Sequence, residues 1–240
     1  MNFNGNITFR SNSADVNGGG IFYTNGNLSI TGNTNFIDNS AKQYGGGISV
    51  HESTLKLIGN STFTNNSAER GGGIIVINSN LIYTGNCTTF RDNSDGQSGG
   101  GIGAVDSTLI FTGSTIFMDN SARMLGGGIS VDDSTLNVTG NTIFTNNTAI
   151  QGGGIDASNN NLNFNGNVTF RSNSADDDGG GIAHNNGTLN ITGTINFIDN
   201  SAKHFGGGIY TLESTLKLTG NSIFTNNSAE YEELVCLKAI

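Results

Sequence analysis

The sequence predicts an all-β protein: a right-handed parallel β-helix solenoid of about nine coils, each of about 27 residues with three strands per coil. Three observations lead there. A Phe is followed three residues later by an Asn nine times, from Phe9/Asn12 through Phe117/Asn120 to Phe224/Asn227, at steps of 26 or 27 residues. A Gly-Gly-Gly-Ile run recurs eight times between those marks, ending at Ile21, Ile48, Ile74, Ile102, Ile129, Ile155, Ile182 and Ile209. The short runs in each period alternate apolar with polar residues, which is the period of a strand and not of a helix.

One period shows the elements in order. Gly45-Gly46-Gly47-Ile48-Ser49-Val50 opens the coil, Ser53-Thr54-Leu55-Lys56-Leu57 follows, and Gly59-Asn60-Ser61-Thr62-Phe63 closes it. Each run is too short to make a sheet alone, so its partners must be the equivalent runs one period up and down the chain. The right-handed sense follows from the preference of parallel crossovers. Stacking then builds uniform inward columns: Leu28, Leu55, Leu81, Leu109, Leu136, Leu162, Leu189 and Leu216 in one, and Ile30, Leu57, Tyr83, Phe111, Val138, Phe164, Ile191 and Leu218 in the next. Burying about four large apolar side chains gains roughly 1.5 to 3 kcal/mol each. Ordering a coil costs more than that, so one coil holds only against its neighbours.

The turns carry their own expectations. A Gly stands two residues after the inner apolar column in every coil, from Gly5 and Gly32 to Gly193 and Gly220, as a left-handed corner would require. The Asn of each Phe-x-x-Asn is expected to point inward and bond to the backbone and to the Asn above and below it. A higher period is also present: FRSN, FIDN, FTNN, then FRDN, FMDN, FTNN, then FRSN, FIDN, FTNN, as duplication of a three-coil module leaves. Residues 1–229 therefore read as a single array that starts and ends in mid-coil. Residues 230–240 read as a divergent tail, either a short helical cap or unrelated readthrough.

With both signatures laid out, Phe-x-x-Asn paired with Gly-Gly-x-Ile once per coil resembles the repeat of the chlamydial polymorphic outer membrane proteins and related β-helix surface repeats. The resemblance covers Phe3 to Ala229. It implies a surface-exposed, adhesin-like passenger, which the chlamydial proteins attach to a C-terminal outer-membrane barrel. The expected place is the cell surface or the extracellular space, the outer membrane if the source is bacterial, with the export signal missing from this chain. No functional residue transfers, because what the motifs share is structural.

Composition narrows the partners. Ten Lys plus Arg against 19 Asp plus Glu give a net charge of −9, and Arg10, Arg70, Arg91, Arg123 and Arg171 are scattered, so nucleic acid is not expected. No apolar run reaches the roughly 20 residues of a transmembrane helix. The expected partners are a protein or glycan on a host or neighbouring cell, with end-to-end self-association through strand edges.

Chemistry finds little purchase. Asp132/Asp133 and Asp176/Asp177/Asp178 are the densest acidic runs, and both fall in variable turns, where a solvated run is the ordinary reading. His51, His184 and His204 lie at different phases of the repeat without metal-ligand spacing. Cys87 is placed in a small inward-facing column, and Cys236 in the tail. No catalytic residue, cofactor or metal is expected, and no particular residue is designated for ligand binding. Binding is assigned to variable outward positions such as Phe22, Tyr44, Phe205 and Tyr210. The first reading is thus a non-catalytic attachment protein. A polysaccharide-binding or polysaccharide-cleaving β-helix of the pectin-lyase type is the alternative, and a structural spacer the second.

Overall fold

A computed structural model describes residues 1–231, and the reading of 232–240 as cap or readthrough lies outside them. The described residues form a parallel β-solenoid with no helix. Every strand of the inner coils pairs with the equivalent strand one coil before and after it, always in parallel. Like residues sit on like: Ile48 between Ile21 and Ile74, Leu55 between Leu28 and Leu81, Phe63 between Phe36 and Phe90.

Three sheets wrap the core, divided differently from the three runs read in the sequence. The first two runs belong to one sheet, continuous from Ile48 to Leu57 in one coil and split into Ile74–Ile77 and Asn80–Tyr83 in the next. The Phe run makes the second sheet of nine strands, for example Ser61–Thr64. The third sheet, also of nine strands, is built from the Ser-Ala pairs after each Asn, such as Ser40–Ala41. A two-residue strand shows no alternation, so the period-two pattern does not reveal it.

Left-handed corners join the sheets, and most are not at glycine. The residue just before each ladder Asn has φ between 52° and 55°, as at Asp38, Asn65 and Asp119. The bend inside the long sheet falls at Glu52, Asn78, Asp106 and their equivalents, with φ of 47° to 56°. Asn and Asp tolerate this region best after Gly, which accounts for their frequency here. The first Gly of each triple takes the third corner, with φ of 64° at Gly126.

The Gly after the inner column, expected to be left-handed, is so only at Gly5 and Gly32. Elsewhere it is required by contact: a Cβ on Gly59 would lie 1.9 Å from the Gly32 carbonyl oxygen, and one on Gly140 2.0 Å from that of Gly113. Backbones of successive coils pass too closely there for any side chain.

The interior follows the predicted columns. Leu28 through Leu189 and Ile30 through Ile191 are buried, and the Phe rings stack face to face with centroids 4.7 to 4.9 Å apart, the spacing of neighbouring strands. Seven ladder Asn, from Asn39 to Asn200, have no exposed surface. Asn120 shows the pattern: its Nδ2 donates to Asn147 Oδ1 at 2.9 Å and to the Phe90 carbonyl at 3.0 Å. Its own Oδ1 accepts from Asn93 Nδ2 at 2.9 Å and from the Asn93 backbone N–H at 3.1 Å. Both protons and both lone pairs of the amide are used, as expected from the sequence.

Cys87 is a correction: it is a free, exposed thiol. The Gly85–Phe90 stretch is one residue longer than Gly59–Phe63, so Thr88, not Cys87, pairs with Ser61 and turns inward.

Candidate binding groove

Alternation along the long sheet puts Ile48 and Val50 inside and Ser49 outside, and the same holds in every coil. Yet Ser49, Ile75, Ser130, Asp156 and Ala183, all on the outer face of one register column, are 0 to 5% exposed. The residues just before the glycine triples cover them. Tyr44, Arg70, Ser98 and Leu125 stand in a second register column as a wall beside the sheet. The two columns enclose a groove that runs along the rod.

Its ends are aromatic. At one, the Phe22 ring meets His51 edge-on at 5.4 Å and Tyr44 meets the same imidazole at 6.0 Å. At the other, Phe205 lies 6.2 Å from Tyr210 and 5.7 Å from Tyr231. Phe22 is 48% and Phe205 40% exposed. The structure thus gathers the four outward residues singled out in the sequence into two clusters, about 34 Å apart over seven interstrand steps.

The middle of the groove is acidic. Asp156 lies at its floor, 2% exposed, with Oδ1 unpartnered, while Asp132 is exposed at its mouth. Burial, and then the Asp132 charge, push the Asp156 carboxyl up to about 7. Asp132 is itself raised by burial and by Asp133 and Asp106, with Arg70 opposing. Nearby, Asp95 replaces the Ala of the Ser-Ala strand and is buried. Burial raises its carboxyl to about 7, opposed by hydrogen bonds from Gln97 and Gly71.

Neither Asp95 nor Asp156 stands out in the sequence as a site. The signal for Asp95 is its place in a column otherwise made of Ala, and Asp156 reads as an ordinary outward residue until the wall is seen. Both native carboxyls sit well above the ordinary value of 3.8, so the folded chain holds more protons than the unfolded one between about pH 4 and 7. Stability from these groups therefore falls as pH rises through that window. His184, buried and lowered, acts in the opposite sense below its ordinary value of 6.5, but is common to parent and variant. Asp95→Ala and Asp156→Ala are each expected to gain on the order of a few kcal/mol at pH 8 and almost nothing at pH 4. Urea midpoints of parent and variants at the two pH values check this; equal gains at both would refute it.

The other acidic run is not uniformly solvated. Asp176 pairs with Lys203 at 2.7 Å on the surface, but Asp178 is buried and accepts the Phe205 N–H at 3.1 Å. Asp177 is paired with His204 Nδ1, and the ligand atoms of Asp177, Asp178 and His204 lie within 4.8 Å of one another. Sequence spacing hid this group because its members are one coil apart. Hydrogen bonds within the group and to Phe205 account for its geometry. His184 faces inward with Nε2 3.1 Å from Asn160 Oδ1, and His51 Nε2 lies 3.0 Å from Ser49 Oγ.

The profile of the Chlamydia polymorphic membrane protein (Chlamydia_PMP) repeat matches residues 6–24, 60–77, 141–158, 167–185 and 194–212. Five stretches of this chain are similar to that repeat. No curated protein and no solved structure matches the chain. All five matched segments include a Phe-x-x-Asn turn, the following glycine triple and the first four residues of the strand beyond it. They therefore span the Asn ladder and both walls of the groove. The Chlamydia polymorphic membrane protein repeat is one of surface and outer-membrane proteins, and no helix among the described residues is long and apolar enough to cross a membrane.

Proposed function

We propose that the array is a non-catalytic, adhesin-like rod at the cell surface or outside the cell, which attaches to a protein or glycan on a host or neighbouring cell. The observation that carries this reading is the groove with exposed aromatic clusters at both ends. Repeated positions are consumed by stacking, and the groove is where individual coils differ: Phe22, Ser49, Ile75, Gly103, Ser130, Asp156, Ala183 and Tyr210 occupy one column. Variation on an outward column beside invariant inward ones is the pattern of a binding face. The repeat family supports the surface location.

Beads coated with the array should adhere to cultured epithelial or bacterial cells. The fourfold variant Phe22→Ala, Tyr44→Ala, Phe205→Ala, Tyr210→Ala should lose roughly 80% or more of that adherence, with an unchanged melting temperature. Adherence no better than that of blank beads, or equal for variant and parent, would count against the reading.

A further inference from the structure

The geometry points to the middle of the groove as a pocket for one neutral, hydroxyl-rich sugar residue, held by Asp156, Asp132 and the hydroxyls of Ser98, Ser130 and Ser158. Four coils contribute to a cavity of about 150 Å³, with Asp156 at the bottom and Asp132 at the opening. That room takes a single ring and not a chain. Ile75 and Leu125 supply an apolar surface for the C–H face of such a ring.

The orphaned oxygen selects the ligand chemistry. Buried polar atoms are nearly always bonded, so a carboxyl group at 2% exposure that lines a cavity and has an oxygen without a partner marks a place where a donor is to be received. Charge then separates the candidates. Arg70 lies in the same lining and acts on Asp132, so the pocket is close to neutral when Asp156 is protonated. A divalent cation wants six or more oxygen ligands and would be repelled by the guanidinium. A phosphate or sulfate would face two carboxyl groups. Sugar hydroxyls donate to carboxylates and accept from Ser and Arg, which is the set of partners present.

Neighbouring coils show that the pocket is not needed for folding. The same column carries Ala183 one coil on, fully buried, so Ala fits where Asp156 stands. The inference is also independent of adhesion, since it concerns a soluble ligand and four coils in the middle of the rod.

Saturation-transfer NMR on the full chain tests it, with methyl glycosides of the neutral hexoses and N-acetylhexosamines as probes, and titration calorimetry with calcium alone is the further arm. At least one glycoside should bind, with a dissociation constant of about a millimolar for a ligand of that size. Asp156→Ala should weaken it at least tenfold while remaining folded by thermal melt. Asp177→Asn, at the other acidic cluster, should bind as the parent does. Failure of every glycoside, equal binding by Asp156→Ala, or calcium binding that needs Asp156 while the glycosides give no signal, would each overturn the assignment.

Discussion

Asn120→Ala will open the rod at its centre. The substitution deletes four hydrogen bonds: two donated by Asn120 Nδ2, to Asn147 and Phe90, and two accepted by its Oδ1 from Asn93. The loss is not shared with water, because Asn93, Asn120 and Asn147 are all fully buried. Asn93 is left with an unpaired backbone N–H and an unpaired side-chain proton, and a buried orphan costs about 1–3 kcal/mol. The sum for these two, about 2–6 kcal/mol, is comparable with the whole margin of a small domain. Asn120→Asp should fare no better, since a carboxylate has no proton to give to Phe90 or Asn147. Hydrogen exchange at the Asn93 amide, expected to rise at least a hundredfold (each tenfold being about 1.4 kcal/mol), and new proteolytic cleavage between the two halves are the readouts. Unchanged protection at Asn93 would show that the ladder is ornamental.

Gly127→Ala is expected to be as severe for a different reason. Gly127 is the middle glycine of its triple, and its φ is not left-handed, so backbone preference does not forbid a side chain. Space does. A Cβ built there lies 2.5 Å from the carbonyl oxygens of Gly153 and Thr148 and 2.6 Å from the Thr148 nitrogen. All three atoms are backbone of the following coil, which cannot move without breaking its own ladder. Overpacking of this kind costs about 3 kcal/mol or more. Gly96→Ala is the control: its nearest obstacle is the end of the Glu69 side chain, which can swing away, so the change should stay within about 0.5 kcal/mol. Urea unfolding of the three proteins separates the cases, and a Gly127→Ala midpoint equal to that of Gly96→Ala would refute the steric account.

What the sequence disclosed, and what it hid, follows from which contacts repeat. Leu55 lies on Leu28 and Phe63 on Phe36 because identical spacing and identical residues admit only that register, and a one-residue slip would turn every apolar side chain outward. The Asn ladder was legible for the same reason. The Gly59 contact was not, because sequence shows that glycine is needed without showing whether torsion or proximity demands it. Ser40–Ala41 escaped because two residues are shorter than any period. Asp156 escaped because alternation tells inside from outside but does not tell which outer positions a neighbouring turn will cover.

The parallel pairing has a mechanical consequence. All strands pair only with the coils before and after them, so the backbone hydrogen bonds lie along the direction in which the coils are stacked. A pull along the rod therefore loads one layer at a time, as in opening a zipper, and not all layers at once in shear. Each released coil of about 27 residues pays out roughly 90 Å of extended chain at about 3.4 Å per residue. Under tension such a rod yields stepwise, lengthening many times over before its last layer parts.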